Sequence, residues 1–393
     1  MTTRITAGRQ FFANPGPTNI PDSVLKAVQQ ASVEYNDRAF LEVYDAAYEG
    51  LKRVVGTRHH LFMYNASGHG AWEAALQNLL SPADRILMVE SGVFSDSWAE
   101  MAGKLGYQVE TVAADWRRGL QMTALAETLR ADRDHAIRAV CVVHNETSTG
   151  VALPLPQVRA ALDAAGHPAL LLVDTISSLA CMPFAMDDWG IDVTVGGSQK
   201  GLMLPTGMSF TAVSDKAVEA HKSARSPRGY FDWTAMLARR HKSFIGTVPI
   251  AMFYGLHESL RLIDSEGLDN VFARHTRLAE AVRRAVAVWN GNGTGPSIYC
   301  LDPARVSDSV TTVLMPEGHN AEAVRAVAID RFSTMTGAGL AKLAGKVFRI
   351  GHMGDLNAPM ILGSLAAVEM SLAAAGVPHG KGGVQAAMQF LAE

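Results

Sequence analysis

The chain has 393 residues, 48% of them hydrophobic and 19% charged, with a formal net charge of −3. Such a composition excludes a disordered chain, and the small acidic surplus argues against a nucleic-acid or acidic-membrane partner, either of which favours a basic surface. The length exceeds one ordinary core and implies two domains, or a large domain with a smaller companion.

The first residues carry no apolar signal core, and no stretch approaches 18 uninterrupted apolar residues. Cys141, Cys181 and Cys300 are too few and too widely spaced for a disulfide framework or a zinc site. A cytoplasmic protein in a reducing compartment is the expectation, with Cys141 a buried thiol. Residues 14–22 (NPGPTNIPD) read as an ordered loop. From about 60 to 215, apolar runs at 86–89, 139–143, 169–173 and 193–195 read as buried strands. Stretches with helical spacing fall between them, at 99–105, 124–129 and 156–165. That alternation predicts an α/β fold with a mostly parallel sheet between helices. Residues 248–265 and 267–289 read as two long helices, and 291–296 (GNGTGP) as a turn. Strands at 310–314, 332–335 and 347–350, with helices at about 320–331 and 357–375, then form a smaller α/β layer.

Chemistry concentrates at the ends of the predicted strands. Lys200, in Gly196-Gly197-Ser198-Gln199-Lys200-Gly201, follows the strand at 191–195 among small residues. A lysine desolvated there loses its proton and forms an imine; alternatively it sits at a strand exit with its amine in water. Asp174 closes the run ALLLVD. It would pair with a protonated pyridine nitrogen, or cap a helix. Ser67, Gly68 and His69 precede the helix-like AWEAALQNLL and offer backbone N–H groups to a phosphate, or merely cap that helix. Phe94 follows another strand and either stacks on a cofactor ring or fills the core. The polar run His144 to Gly150 would hydrogen-bond a ring substituent or form a turn. Arg349, inside the apolar run KVFRIG, would bind a substrate carboxylate or make a structural salt bridge. No residue has metal-ligand partners for His69.

Together these segments resemble the alanine/serine–glyoxylate aminotransferases, of the fold-type I pyridoxal-phosphate (PLP) enzymes, and above all their bacterial serine–glyoxylate branch. The resemblance runs from NPGPTNIP through SGHGAWEAAL, HNETSTG, LLVDTISSL and GGSQKGLMLPTG to EGLDNVFARH and GAGLAKLAGKVFRIGHMGDL. It implies a large PLP-binding domain at 21–265, a small C-terminal domain at 266–393, and an N-terminal segment, 1–20, that contributes to the substrate site. It further implies that Lys200 is the Schiff-base lysine and proton carrier and that Asp174 holds the pyridine N–H. Phe94 and Ile176 would pack on the ring, Ser148 would lie near its hydroxyl, and Ser67, Gly68, His69 and Gln199 would cradle the phosphate. Thr247 would reach the phosphate in the neighbouring subunit of a homodimer with shared sites. Arg349 would bind the substrate carboxylate, helped by backbone at Pro15 and Gly16. The implied reaction moves an amino group from a small L-amino acid, serine above others, to glyoxylate. Alanine, aspartate or hydroxyaspartate as donor and pyruvate as acceptor are the alternatives.

Two positions depart from the family pattern. Phe244 stands where relatives place a tyrosine that donates to the phosphate, a hydrogen bond to a charged group worth about 1.5–3 kcal/mol. Tyr35-Asn36 replaces a His-Arg pair near the substrate entrance, which bears on donors with a second carboxylate. Other readings are weaker. A desulfurase needs an accessible cysteine beyond the lysine, and Cys300 lies in the apolar context Ile298-Tyr299-Cys300-Leu301. A lyase or a regulator would share the cofactor, but no basic extension precedes residue 14. An inactive paralogue should lack Lys200 or Asp174, and a dinucleotide enzyme should carry GxGxxG in its first βα unit.

Overall fold

In the computed structural model, which describes residues 8–237 and 244–393, the alternating apolar runs assemble into a seven-stranded sheet. Its order is His60–Tyr64, Ser209–Val213, Val193–Gly197, Leu170–Asp174, Ile137–Val143, Arg85–Glu90, Gln108–Ala113. Ser209–Val213 runs antiparallel to both neighbours and every other pairing is parallel. Side chains alternate along each strand. Val140, Val142, Leu171 and Val173 therefore enter one core, while Ala139, Cys141, Leu170 and Leu172 enter the other. Helices Arg38–Val55, Leu155–Ala164 and Ile250–Glu266 close the first core, and Gly68–Leu79 and Val93–Lys104 close the second. Burial on both faces is why these strands read as continuous apolar runs.

A second sheet has the order Phe11–Ala13, Thr334–Ala338, Val347–Gly351, Val310–Leu314, Ser297–Ile298. Its N-terminal strand pairs in parallel with Thr334–Ala338, so the first described residues join the C-terminal layer. Leu268–Asn290, Ala358–Ala374 and Gly383–Ala392 cover it. After Phe11–Ala13 the chain crosses to the large sheet. There Thr18 N donates to Gln199 O at 3.1 Å, and Thr18 Oγ1 donates to Lys200 O at 3.0 Å.

The strand expected at 332–335 begins later than the apolar pattern suggested. Helix Ala321–Phe332 runs through Phe332, Ser333 turns left-handed at φ 46°, and the strand is Thr334–Ala338. The helix expected at 99–105 starts at Val93, directly after Gly92. Cys141, Cys181 and Cys300 are all buried and unpaired. No helix among the described residues is long and apolar enough to cross a membrane. The first seven residues of the proposed N-terminal segment lie outside the described residues.

Candidate active site

The adjacent parallel strands Leu170–Asp174 and Val193–Gly197 end at one cavity of about 230 Å³, where open α/β sheets place their ligands. Asp174 and Lys200 both line it and both are buried. Asp174 Oδ1 accepts from Ile176 N at 2.7 Å, and Oδ2 accepts from Trp72 Nε1 at 2.8 Å. No helix follows Asp174 before the strand at Val193–Gly197, so it caps none. Burial pushes its carboxyl up to about 7, opposed by the Ile176 and Trp72 bonds and by Lys200. Burial pushes the Lys200 ammonium down to about 8, with the Arg349 charge adding and Asp174 opposing. The amine is therefore not at a wet strand exit: it donates to the carbonyl of Pro15.

That contact explains Gly16. Its φ is +138°, and a Cβ there would fall 2.2 Å from Lys200 Nζ. Gly16 and Pro17 both line the cavity, while Pro15 touches it through the lysine.

The second wall is the start of helix Gly68–Leu79. Its N-cap, Ser67, makes no side-chain cap bond, which leaves first-turn N–H groups for an anion. Ser67, Gly68 and His69 all line the cavity. A Cβ on Gly68 would sit 2.2 Å from Ile176 Cδ1, so only glycine lets the helix start and the residue after Asp174-Thr175 approach this closely. Burial lowers the His69 pKa, which keeps that ring neutral at neutral pH. Phe94 and Ile176 supply the apolar sides and Gln199 adds an amide.

Three expected residues lie elsewhere. Ser148 is behind the wall: its Oγ donates to Glu146 Oε1 at 2.6 Å and accepts from Val93 N at 3.1 Å. Asn145 and Thr147 are the members of that loop that line the cavity. Arg349 does not line it, but Nη1 donates to Thr147 O at 3.1 Å and Nε to Ala338 O at 2.8 Å. Among the described residues it makes no salt bridge, although it is only 7% exposed. Thr247 is exposed beside Asn65, whose amide donates to the Thr247 carbonyl at 3.0 Å. Of the two departures, Phe244 is buried edge-on against Phe253 at 5.5 Å. Asn36 bonds to the Glu34 carboxylate away from the cavity.

The sequence pattern marks the run His144 to Gly150 without separating the roles of Asn145, Glu146 and Thr147, and it gives Trp72 no role. Glu146 is fully buried and accepts from Phe94 N, Ser95 N and both donors of Ser148, which ties the Phe94 helix to the Arg349-bound loop. Burial pushes its carboxyl up, and those hydrogen bonds oppose the shift.

A buried lysine and carboxylate, flanked by a helix N-terminus and apolar side walls, suit a phosphorylated pyridine aldehyde. Asn145 Oδ1 and Gln199 Oε1, on lining residues, are buried with no hydrogen-bond partner, which suits a polar ligand. Residues 10–353 match the model of the aminotransferase class-V family. The chain belongs to the class-V aminotransferases. It is 43% identical over 394 residues to a serine–glyoxylate aminotransferase of Methylorubrum extorquens, covering 98% of this chain and 97% of the relative. It is 42% identical over 377 residues to an L-aspartate–glyoxylate aminotransferase of Paracoccus denitrificans, covering 95% and 94%. The crystal structure of an alanine–glyoxylate aminotransferase from Nostoc sp. superposes with a TM-score of 0.85 at 30% identity, covering 94% of this chain and 96% of that one. This class-V aminotransferase is a fold-type I PLP enzyme, and the residues of its cavity fit PLP.

Gly16→Ala in this aminotransferase is expected to lower turnover about tenfold or more while the protein still folds, because a strained φ and the clash with Nζ both displace the lysine. Steady-state rates with a melting curve would show it; unchanged turnover would mean the N-terminal loop relaxes without moving Lys200.

Proposed function

We propose that this chain transfers the amino group of L-serine to glyoxylate, giving hydroxypyruvate and glycine. The observation that carries the reading is the convergence of Lys200, Asp174 and the uncapped start of helix Gly68–Leu79 on one cavity. Bound there, PLP supplies an aldehyde that condenses with amines and a pyridinium ring that withdraws electrons from the α carbon. Lys200 Nζ would be the resident amine and would take the α proton and return it. Asp174 keeps the proton on the ring nitrogen, and the helix start holds the phosphate. Phe94 and Ile176 exclude water from the two ring faces. Arg349 binds the α-carboxylate of donor and acceptor alike.

Serine over aspartate follows from charge. Among the described lining residues only Asp174 and Lys200 are charged at neutral pH, and both are engaged by the cofactor; His69 is held neutral by burial. Nothing there compensates a second carboxylate. Comparing kcat/KM for serine, alanine and aspartate with glyoxylate as acceptor tests this, and a preference for aspartate would overturn the choice of donor. A visible absorbance band that shifts with serine and returns with glyoxylate would establish the two-stroke exchange.

The Lys200 pKa sets a pH dependence. Its amine is neutral only above about 8, so PLP incorporation into apoenzyme should speed up as pH rises and level off beyond about 8. Stopped-flow absorbance from pH 6.5 to 9.5 measures it; a flat profile would place the reactive amine elsewhere.

We infer a homodimer in which exposed Thr247 reaches the partner subunit's phosphate, a cytoplasmic location, and a division at about residue 265 into large and small domains. The dimer reading is supported by Thr247 being exposed yet anchored through Asn65, two residues from Ser67. A monomeric mass in sedimentation equilibrium of the holoenzyme would sink it.

A further inference from the structure

We propose that Trp72 is a positioning residue that acts through Asp174: its indole N–H holds the carboxylate in the orientation that receives the cofactor's ring nitrogen. The inference rests on the assignment of Asp174 to that nitrogen. The two donors meet different oxygens, Trp72 Nε1 on Oδ2 at 2.8 Å and Ile176 N on Oδ1 at 2.7 Å. One donor would leave the carboxylate plane to swing about its last torsion, whereas two donors on two oxygens fix it. A carboxylate has about four lone-pair sites, so two remain for a ring N–H from the cavity.

Trp72 is itself held. It is fully buried, stacked on Trp98 at 5.6 Å between centroids and 13° between planes, and its ring lies 4.3 Å from that of His69. It also lies on helix Gly68–Leu79, about one turn beyond the residues that present N–H groups to the phosphate. One rigid helix therefore sets both the phosphate seat and the carboxylate that faces the ring nitrogen. The chemistry agrees: a hydrogen bond to the ionised carboxylate favours that form against the burial that raises it. Without the Trp72 bond the carboxyl is pushed further towards the neutral acid, which cannot hold a pyridinium.

The test is a double-mutant cycle on cofactor affinity, measured by equilibrium dialysis of PLP against apoenzyme of wild type, Trp72→Phe, Asp174→Asn and the double variant. Trp72→Phe is expected to weaken PLP binding about tenfold or more in the wild-type background, the loss of one hydrogen bond to a charged group. In the Asp174→Asn background the same change should cost less than about twofold. An equal loss in both backgrounds would show that Trp72 acts through its own packing and overturn the proposal. Wild-type affinity in Asp174→Asn would instead overturn the assignment of Asp174, and the inference with it. Since phenylalanine leaves a gap beside Trp98, a benzothienyl side chain introduced at position 72 provides a second variant of the same shape, with sulfur in place of N–H. It should reproduce the loss, and wild-type affinity in that variant would also overturn the proposal.

Discussion

Lys200→Ala should abolish turnover, with kcat for serine and glyoxylate falling by about 10³-fold or more, because the proposed mechanism makes one side chain both nucleophile and proton carrier. Lys200→Arg should be equally inactive: a guanidinium keeps the positive charge but cannot give up its proton to become the resident amine. The contrast between charge and nucleophile matters at this site. Lys200 is buried with Arg349 and Asp174 as its charged neighbours, so a purely electrostatic role would survive the arginine variant. Steady-state assays of both variants, with PLP content measured alongside, decide the matter. If either retained activity within about tenfold of wild type, another group would be moving the α proton.

The legible residues were those whose chemistry is announced by their own strand. Asp174 ends an apolar run, Lys200 closely follows another, and the register Asp174↔Val195 places the two strands side by side, so strand ends point to the cavity that both line. Ser67 to His69 were legible for a similar reason, as a glycine-rich helix start. What stayed hidden depends on contacts between distant parts of the chain. Trp72 meets Asp174 across 102 positions, and Lys200 meets Pro15 across 185; no local pattern encodes either. The apolar helix AWEAALQNLL gives Trp72 the look of a core residue, which it also is, since its ring packs on Trp98. Within the turn after the strand Ile137–Val143, the resemblance implies Ser148 near the ring while the residue pattern marks the whole run His144 to Gly150; in the structure the Ser148 hydroxyl donates to Glu146 and Thr147 faces the cavity. A one-residue offset in a tight turn is set by such a hydrogen bond, and sequence alone does not show which neighbour a buried glutamate takes. The edge at 332–335 failed for a simpler reason. Phe332 is as apolar as a strand residue, and the left-handed Ser333 that ends the helix is a geometric event without a glycine to announce it.

Arg349 carries the second large effect. The residue is 7% exposed, and its guanidinium is bound to the carbonyls of Ala338 and Thr147 without a carboxylate partner among the described residues. Burial pushes its pKa down to about 10, with the Arg325 charge adding and Glu146 opposing, so it stays charged at neutral pH. A buried cation without a counterion is costly, and the α-carboxylate of a bound substrate would supply one. Arg349→Lys should lower kcat/KM by about 10- to 100-fold, because an ammonium cannot hold both carbonyls and still present a fork to the carboxylate. The loss should fall on KM for serine and for glyoxylate together, since each brings a carboxylate to the same place, while PLP affinity stays at the wild-type value. Stability should move the other way. Arg349→Met removes an uncompensated charge at similar volume, so the melting temperature should hold or rise as activity is lost. A variant that loses stability and PLP together would mean that the guanidinium braces the Thr147 loop instead of receiving substrate. The pairing of a lower kcat/KM with an undiminished melting temperature is what a carboxylate-binding role requires, because a side chain kept charged and unpaired in the resting protein favours the bound state at the expense of the fold.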